Sequence, residues 1–241
     1  LKTDCRKDSS LHLMPNDSRL LLQQARRHLA PMTHQLDIPL HIIDLRAEFK
    51  RQVVDYFVHA YGVGRTPNPC LQCNPSIKFE LLYEEAKRLG ATRMATGHYA
   101  RLKPAADGRM RLLRGIDSNK DQSYFLARLS QNQLQRSLLP LGDYTKEETR
   151  QMAHSRGFRP AAGQESQDIC FIKSSSYSAF LEQRAGFTAK PGPIVDVDGT
   201  HLGNHKGLHL FTIGQRRGIN CPSSEPYYVV RMEVAENRLG V

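Results

Sequence analysis

Two cysteines three residues apart, Cys70 and Cys73, stand in the stretch TPNPCLQCNP, between Pro67, Pro69 and Pro75. Thiols at this spacing can close a disulfide, bind zinc or an iron-sulfur cluster, or exchange sulfur, and the pair alone does not choose among these. A structural zinc site needs four ligands. No second closely spaced Cys or Cys/His pair follows, so any further ligand would have to come from scattered histidines. A third thiol, Cys170, lies in ESQDICFI, where a polar half gives way to an apolar one as if a buried strand began at the cysteine. Its surroundings suit either a small hydrophobe packed in a core or a reactive thiol. Cys5 and Cys221 have no such company and read as structural.

Other polar features could serve a large anionic ligand. Lys120, Asp121 and Gln122 sit in a run of seven polar residues, 117–123, that ends on Tyr124; this is either a solvated loop or part of a binding surface. Residues 101–120 carry six Lys or Arg against two Asp, a fit to a phosphate backbone. A second basic stretch, 199–224, has no acidic residue and contains Lys206, Arg216 and Arg217. Thr96-Gly97-His98-Tyr99 follows a short apolar run. A glycine at a strand end lets a nucleotide approach the backbone, while His98 suits either a ligand contact or a hydrogen-bonded structural role.

The elements that must position these groups follow from periodicity and punctuation. Leu21, Leu22, Ala25 and Leu29 mark a helix over 18–30, and Pro39–Leu45 reads as a strand. Val53, Val54, Phe57, Val58 and Tyr61 repeat at helical spacing up to Gly62 and Gly64, ahead of the proline-rich loop expected to hold the cysteine pair. A helix over 79–89 closes at Gly90, and a strand over 93–96 leads into Gly97. Helix alternating with strand predicts an α/β fold with a parallel sheet. Residues 99–103 and 109–114 form a hairpin across Asp107-Gly108, and Thr145 with Glu148 makes a capping box for a helix reaching Arg156 and closed by Gly157. Beyond about residue 173 short alternating runs and Gly-rich turns replace long helices, which predicts a β-rich second unit. The strand 227–232 has no partner following it in the sequence, and the chain opens on Leu1, so both ends read as cut.

Composition narrows the class. The 241 residues are 39% hydrophobic, enough for a real core, and 34 Lys and Arg against 24 Asp and Glu give a net charge of +10 that favours polyanionic partners. Five widely spread cysteines are not a secreted disulfide framework. Neither a membrane span nor a secretory leader is evident, so a cytoplasmic protein without membrane contact is expected.

Taken together, GRTPNPCLQCN (64–74), IKF (77–79), ATGHY (95–99), LLRGIDSNKDQSYFL (112–126), ESQDICFI (165–172) and FTIGQRRG (211–218) closely resemble, in order, the tRNA-specific 2-thiouridylase family. The resemblance covers most of the chain from about residue 36 onward. It implies ATP-dependent replacement of the C2 oxygen of the wobble uridine of tRNA by sulfur, with ATP carried with Mg2+. It also implies an adenylating domain of the N-type ATP pyrophosphatase kind over 1–172, a small β-rich central domain over 173–226 and the start of a C-terminal β-barrel over 227–241. By the same resemblance Cys73 is the nucleophile and Cys170 carries the persulfide. Gly97 lies against ATP, and Asn68, Pro69, Cys70, His98, Lys120, Asp121 and Gln122 contact tRNA. A cysteine desulfurase or a sulfur relay protein would donate the sulfur.

The chain departs from that pattern in two ways. The family's first strand and its Gly- and Ser-rich phosphate loop are missing from the sequence. That leaves a non-catalytic tRNA-binding fragment as the alternative function. Many members also carry Asp where this chain has Cys70. Three thiols, Cys70, Cys73 and Cys170, could therefore ligate a four-iron four-sulfur cluster in place of a plain persulfide relay.

Overall fold

The computed structural model describes residues 18–158, 169–172, 176–184 and 187–241. Cys5 and the first four residues of ESQDICFI lie outside them. The chain divides into two units, one formed by residues 1–48 and 70–167 and the other by 49–69 and 168–241. Among the described residues no helix is long and apolar enough to cross a membrane.

In the first unit, helix Ser18–Gln35 runs one turn further than its apolar repeat suggests and passes through Pro31. The proline removes one ladder bond. Thr33 Oγ1 donates to the carbonyls of Leu29 and Ala30 close by, at 3.3 and 3.1 Å. The strand expected over 39–45 does not form: residues 38–45 adopt no regular element. A strand is held by its neighbour's backbone, and no described residue pairs with this stretch.

The largest correction concerns the cysteine pair. Cys70–Cys73 is a helical turn, not a loop, and it continues through a π-helical segment, Asn74–Leu81, into helix Leu82–Arg88. Pro75 explains both the misreading and the geometry. It has no N–H to donate and its ring crowds the preceding turn, so the run looks broken in sequence. The chain instead widens into the i to i+5 register, and the Ser76 hydroxyl donates to the Gln72 carbonyl at 2.6 Å.

Beyond Gly90, strand β1 (Met94–Ala95) pairs in parallel with β4 (Ser137–Leu138), a short version of the expected parallel sheet. Strands β2 (Ala100–Pro104) and β3 (Met110–Arg114) form the expected hairpin, with Gly108 at φ +77° in its turn. The hairpin packs Ala100, Leu102, Met110 and Leu112 against Phe79, Leu126, Leu129, Leu134 and Leu139. The capping box of Thr145 and Glu148 starts helix Lys146–Ser155, and Gly157 at φ +71° follows it.

The second unit has two cores. Helix Asp55–Gly62 packs Phe57 and Tyr61 against Phe180 and Leu181 of helix Tyr177–Glu182. A four-stranded sheet of order β6-β5-β8-β7 comprises β5 (Gly192–Val195), β6 (His201–His205), β7 (Arg231–Glu233) and β8 (Arg238–Gly240). The last strands therefore share the sheet of 192–205. The strand read at 227–232 begins only at Arg231 and is paired, antiparallel to β8, across a turn with Asn237 at φ +50°. Strand β8 also pairs in parallel with β5.

Gly142 fixes how the loop after β4 meets the hairpin. A Cβ there would stand 1.9 Å from the Ala100 carbonyl oxygen, while the Gly142 carbonyl accepts from Ile116 N–H at 3.0 Å. Gly142→Ala must push backbone from backbone. It should cost about 1–3 kcal/mol or more, read as a lowered urea midpoint with an unchanged m-value. A midpoint equal to that of the parent would show that the loop yields freely.

Candidate functional site

The first unit gathers the cysteine turn, the strand-end segment and the polar loop around one helix. Cys70 and Cys73 are half-buried and share one side of the helix, three residues apart. The turn is held by polar clamps. Asn74, only 2% exposed, donates from Nδ2 to the Phe125 carbonyl at 2.7 Å. Arg128 donates to Gln72 Oε1 at 3.0 Å, and Gln133 Nε2 to the Pro75 carbonyl at 2.7 Å. Arg136 donates to the Phe79 carbonyl and Glu80 Oε2, both at 2.6 Å, and its guanidinium lies 3.9 Å from the centre of the Tyr83 ring. Sequence reading assigned none of these four side chains a role. Only Gln133 carried a legible signal, because Ser130-x-x-Gln133 is a capping box and is one in the structure.

His98 stands beside this helix. Its Nδ1 shares a hydrogen bond with Thr96 Oγ1 at 2.8 Å, and its ring lies 6.0 Å from that of Phe79. Burial, helped by the nearby positive charge of Lys78, lowers its pKa to about 4. The imidazole is thus neutral at pH 7 and carries a structural hydrogen bond. Gly97 is exposed and has no left-handed φ, and a Cβ there would make only ordinary contact, 3.6 Å from Leu141. The fold itself does not demand glycine at this strand end.

The polar loop is half-buried rather than simply solvated. Gln122 Oε1 accepts from Tyr99 N–H at 3.1 Å, and Gln122 N–H donates to the Tyr99 carbonyl at 2.8 Å, tying loop to strand end. Asp121 Oδ1 accepts from Gly115 N–H at 3.0 Å and Ser123 N–H at 3.1 Å. Partial burial pushes the Asp121 pKa up. The hydrogen bonds from Gly115 and Ser123, with the charge of Arg114, outweigh it and leave the pKa below the ordinary value. Lys120 N–H closes a turn on the Asp117 carbonyl at 3.0 Å. Tyr124 next to this loop is 62% exposed.

The second unit holds Asn68, Pro69 and Cys170. Pro69 is buried and Asn68 half-buried. Cys170 is not the start of a strand: it is exposed, in a turn closed by Ile172 N–H on the Ile169 carbonyl at 3.0 Å. Its neighbours explain the misreading. Ile169, Phe171 and Ile172 are the side chains partly buried against the core, with Phe171 meeting Phe57 edge-on at 5.4 Å and Phe49 at 5.8 Å. The turn is anchored on both sides while the thiol faces outward. Cys221, by contrast, is half-buried and its pKa is raised by desolvation, in keeping with a structural role.

Among the described residues no group of three or more His, Cys, Asp or Glu side chains is arranged to hold a metal ion. The helical turn carries two of the three thiols that the cluster reading calls for, Cys70 and Cys73, and the third, Cys170, belongs to the second unit.

Comparison with known proteins fits this layout. Residues 10–174 match the family model described as a tRNA methyl transferase HUP domain, and residues 178–241 the one described as a tRNA methyl transferase PRC-barrel domain. A curated relative from Chloroflexus aurantiacus, named tRNA-specific 2-thiouridylase MnmA, is 48% identical over 204 residues. The chain belongs to the tRNA-specific 2-thiouridylase family. That alignment covers 85% of this chain and 57% of the relative. A second relative of that name, from Desulfosudis oleivorans, is 49% identical over 207 residues, or 86% of this chain and 58% of the relative. The chain thus spans just under three fifths of the length of these thiouridylases. An α/β HUP unit followed by a PRC-barrel unit agrees with the helix and parallel-strand unit and the β-rich unit described above.

The neutral state of His98 has a pH signature. Above the ordinary histidine pKa of 6.5, folded and unfolded chains both hold it neutral. As pH falls from 6.5 toward about 4, only the unfolded chain takes up the proton, so stability is lost across that window. Melting temperatures measured from pH 7.5 to 4 should therefore fall more steeply in the parent than in His98→Gln. Parallel curves would show that His98 titrates normally in the fold.

Proposed function

We propose that this chain is the thiolation part of an ATP-dependent tRNA-uridine 2-sulfurtransferase. The observation that carries the proposal is the setting of Cys170, exposed on a turn whose neighbours are anchored in an aromatic cluster. A thiol that must receive sulfur from a donor protein and pass it on needs access and a fixed base. Cys73, on the helical turn clamped by Asn74 and Gln133, is the second thiol of the relay.

The chemistry starts from a poor leaving group. The uridine O2 attacks the α-phosphorus of ATP, accompanied by Mg2+, and pyrophosphate departs, so C2 then carries an adenylate. Cys170 holds a persulfide supplied by a cysteine desulfurase or a sulfur relay protein. In one route its terminal sulfur attacks C2, AMP leaves, and the Cys73 thiolate attacks the inner sulfur, which releases 2-thiouridine and leaves a Cys73–Cys170 disulfide. In the other, Cys73 attacks the inner sulfur first and hydrosulfide attacks C2. Either way a thiol reductant resets the pair.

Gly97 fits an ATP-facing position because nothing in the fold requires glycine there, and a bare backbone admits close approach. Asn68, Pro69 and Cys70 are assigned to the target base, which must leave its stack to be reached. His98, Lys120, Asp121 and Gln122 are assigned to the surrounding tRNA. The Asp121 and Gln122 side chains already hold the backbone of 99–123, so their contribution is to present that loop in a fixed shape. The cytoplasm, where tRNA and reductant meet, is the proposed location. The exposure of Cys170 favours the persulfide relay over an iron-sulfur cluster, because a sulfur carrier must be reached by its donor.

In the full-length protein, Cys73→Ser and Cys170→Ser should each reduce tRNA thiolation to background while tRNA affinity is retained. The readout is retardation of thiolated tRNA in a mercury-containing gel, with ATP, a desulfurase and cysteine supplied. Thiolation persisting in either variant would remove that cysteine from its role.

A further inference from the structure

The β2–β3 hairpin has one face with no part in the core. Its register pairs Arg101 with Leu113 and Lys103 with Arg111, and the Ala105 N–H to Arg109 carbonyl bond of 2.8 Å extends that pairing toward the turn. Side chains alternate across a strand, so Arg101, Lys103, Arg109, Arg111 and Leu113 share the outer face, while Ala100, Leu102, Met110 and Leu112 face the core. Every charged residue on that outer face is basic.

Folding does not account for this arrangement. Lys103 and Arg111 are exposed and directly opposite, a like-charge cross-strand pair that costs stability. Among the described residues neither side chain has an acidic partner. Arg101 reaches the Arg114 carbonyl at 2.8 Å and only loosely approaches Asp143, at 3.9 Å. Two residues along a strand are about 6.6 Å apart, so the face presents a ladder of cations rather than a single charge. No aromatic residue shares that face, so it offers no platform for unstacked bases.

We propose that the outer face of this hairpin is a docking surface for the phosphate backbone of an RNA helix, read without regard to sequence. The inference rests on the tRNA reading for its RNA, and it places the stem of that RNA, as distinct from its target base, on Lys103 and Arg111. The contact supplies affinity and register, while the cysteines and the strand-end segment supply chemistry.

The test is binding of the full chain to a short RNA duplex lacking any thiolation target, and to tRNA, as a function of salt. In Lys103→Gln/Arg111→Gln, affinity for both RNAs should drop about tenfold at low salt. The slope of log K against log salt should shrink by about 1.4–1.8, two phosphate contacts at 0.7–0.9 each. The melting temperature should hold or rise, since the like-charge pair is relieved. Arg26→Gln/Arg27→Gln removes the same net charge from exposed positions on the first helix and should leave the slope nearly unchanged. An unchanged slope in the hairpin variant, or an equal loss in the helix variant, would overturn the docking surface. Failure of thiolation with hairpin-dependent duplex binding intact would sink the sulfurtransferase reading and leave this one standing.

Discussion

A proline inside a helix sets the geometry of the first unit. Pro75 cannot donate to the α-ladder, and the chain responds by widening into a π-helical segment over Asn74–Leu81. A distorted helix is tolerable only if its surroundings over-determine it. Here Asn74, Arg128, Gln133 and Arg136 bond to or from this helix, tying it to the segment 125–136. The cysteine turn lies immediately before the distortion, so it inherits a fixed position from bonds made several residues away.

The two sulfur-bearing segments reach definition by opposite means. Cys70 and Cys73 sit on a helix pinned by polar contacts, whereas Cys170 sits on a turn pinned by apolar ones. Around Cys170 the burial of Ile169, Phe171 and Ile172 does the holding, which frees the intervening thiol from any packing duty. Division of labour also appears at His98 and Gln122, whose hydrogen bonds shape the strand end and its loop. The outer face of the hairpin is the converse case. It keeps repelling charges opposite one another where the fold gains nothing from them.

Much of this was legible without coordinates where the signal is local. The capping box at Thr145 and Glu148, the Asp107-Gly108 hairpin and the helix ending near Gly62 depend on hydrogen bonds within a few residues, and all three form as read. The errors share a cause. The strand at 39–45 needed a neighbour that none of the described residues supplies, and the helix at Cys70 needed distant side chains to rescue a proline. Cys170 looked like the edge of a strand because its apolar neighbours alternate with nothing. Only packing shows that they clamp a turn.

The sequence by itself determined the family, the chemical repertoire of three thiols and the punctuation of the elements, because residue type and short spacing are sufficient for these. Tertiary structure alone decided which thiol is exposed, that the cysteine pair lies on a helix, and which face of the hairpin is left to solvent with its cations. Those outcomes depend on contacts between residues tens of positions apart, such as Asn74 with Phe125 and Phe57 with Phe171, and no local pattern encodes which distant partner a side chain will meet.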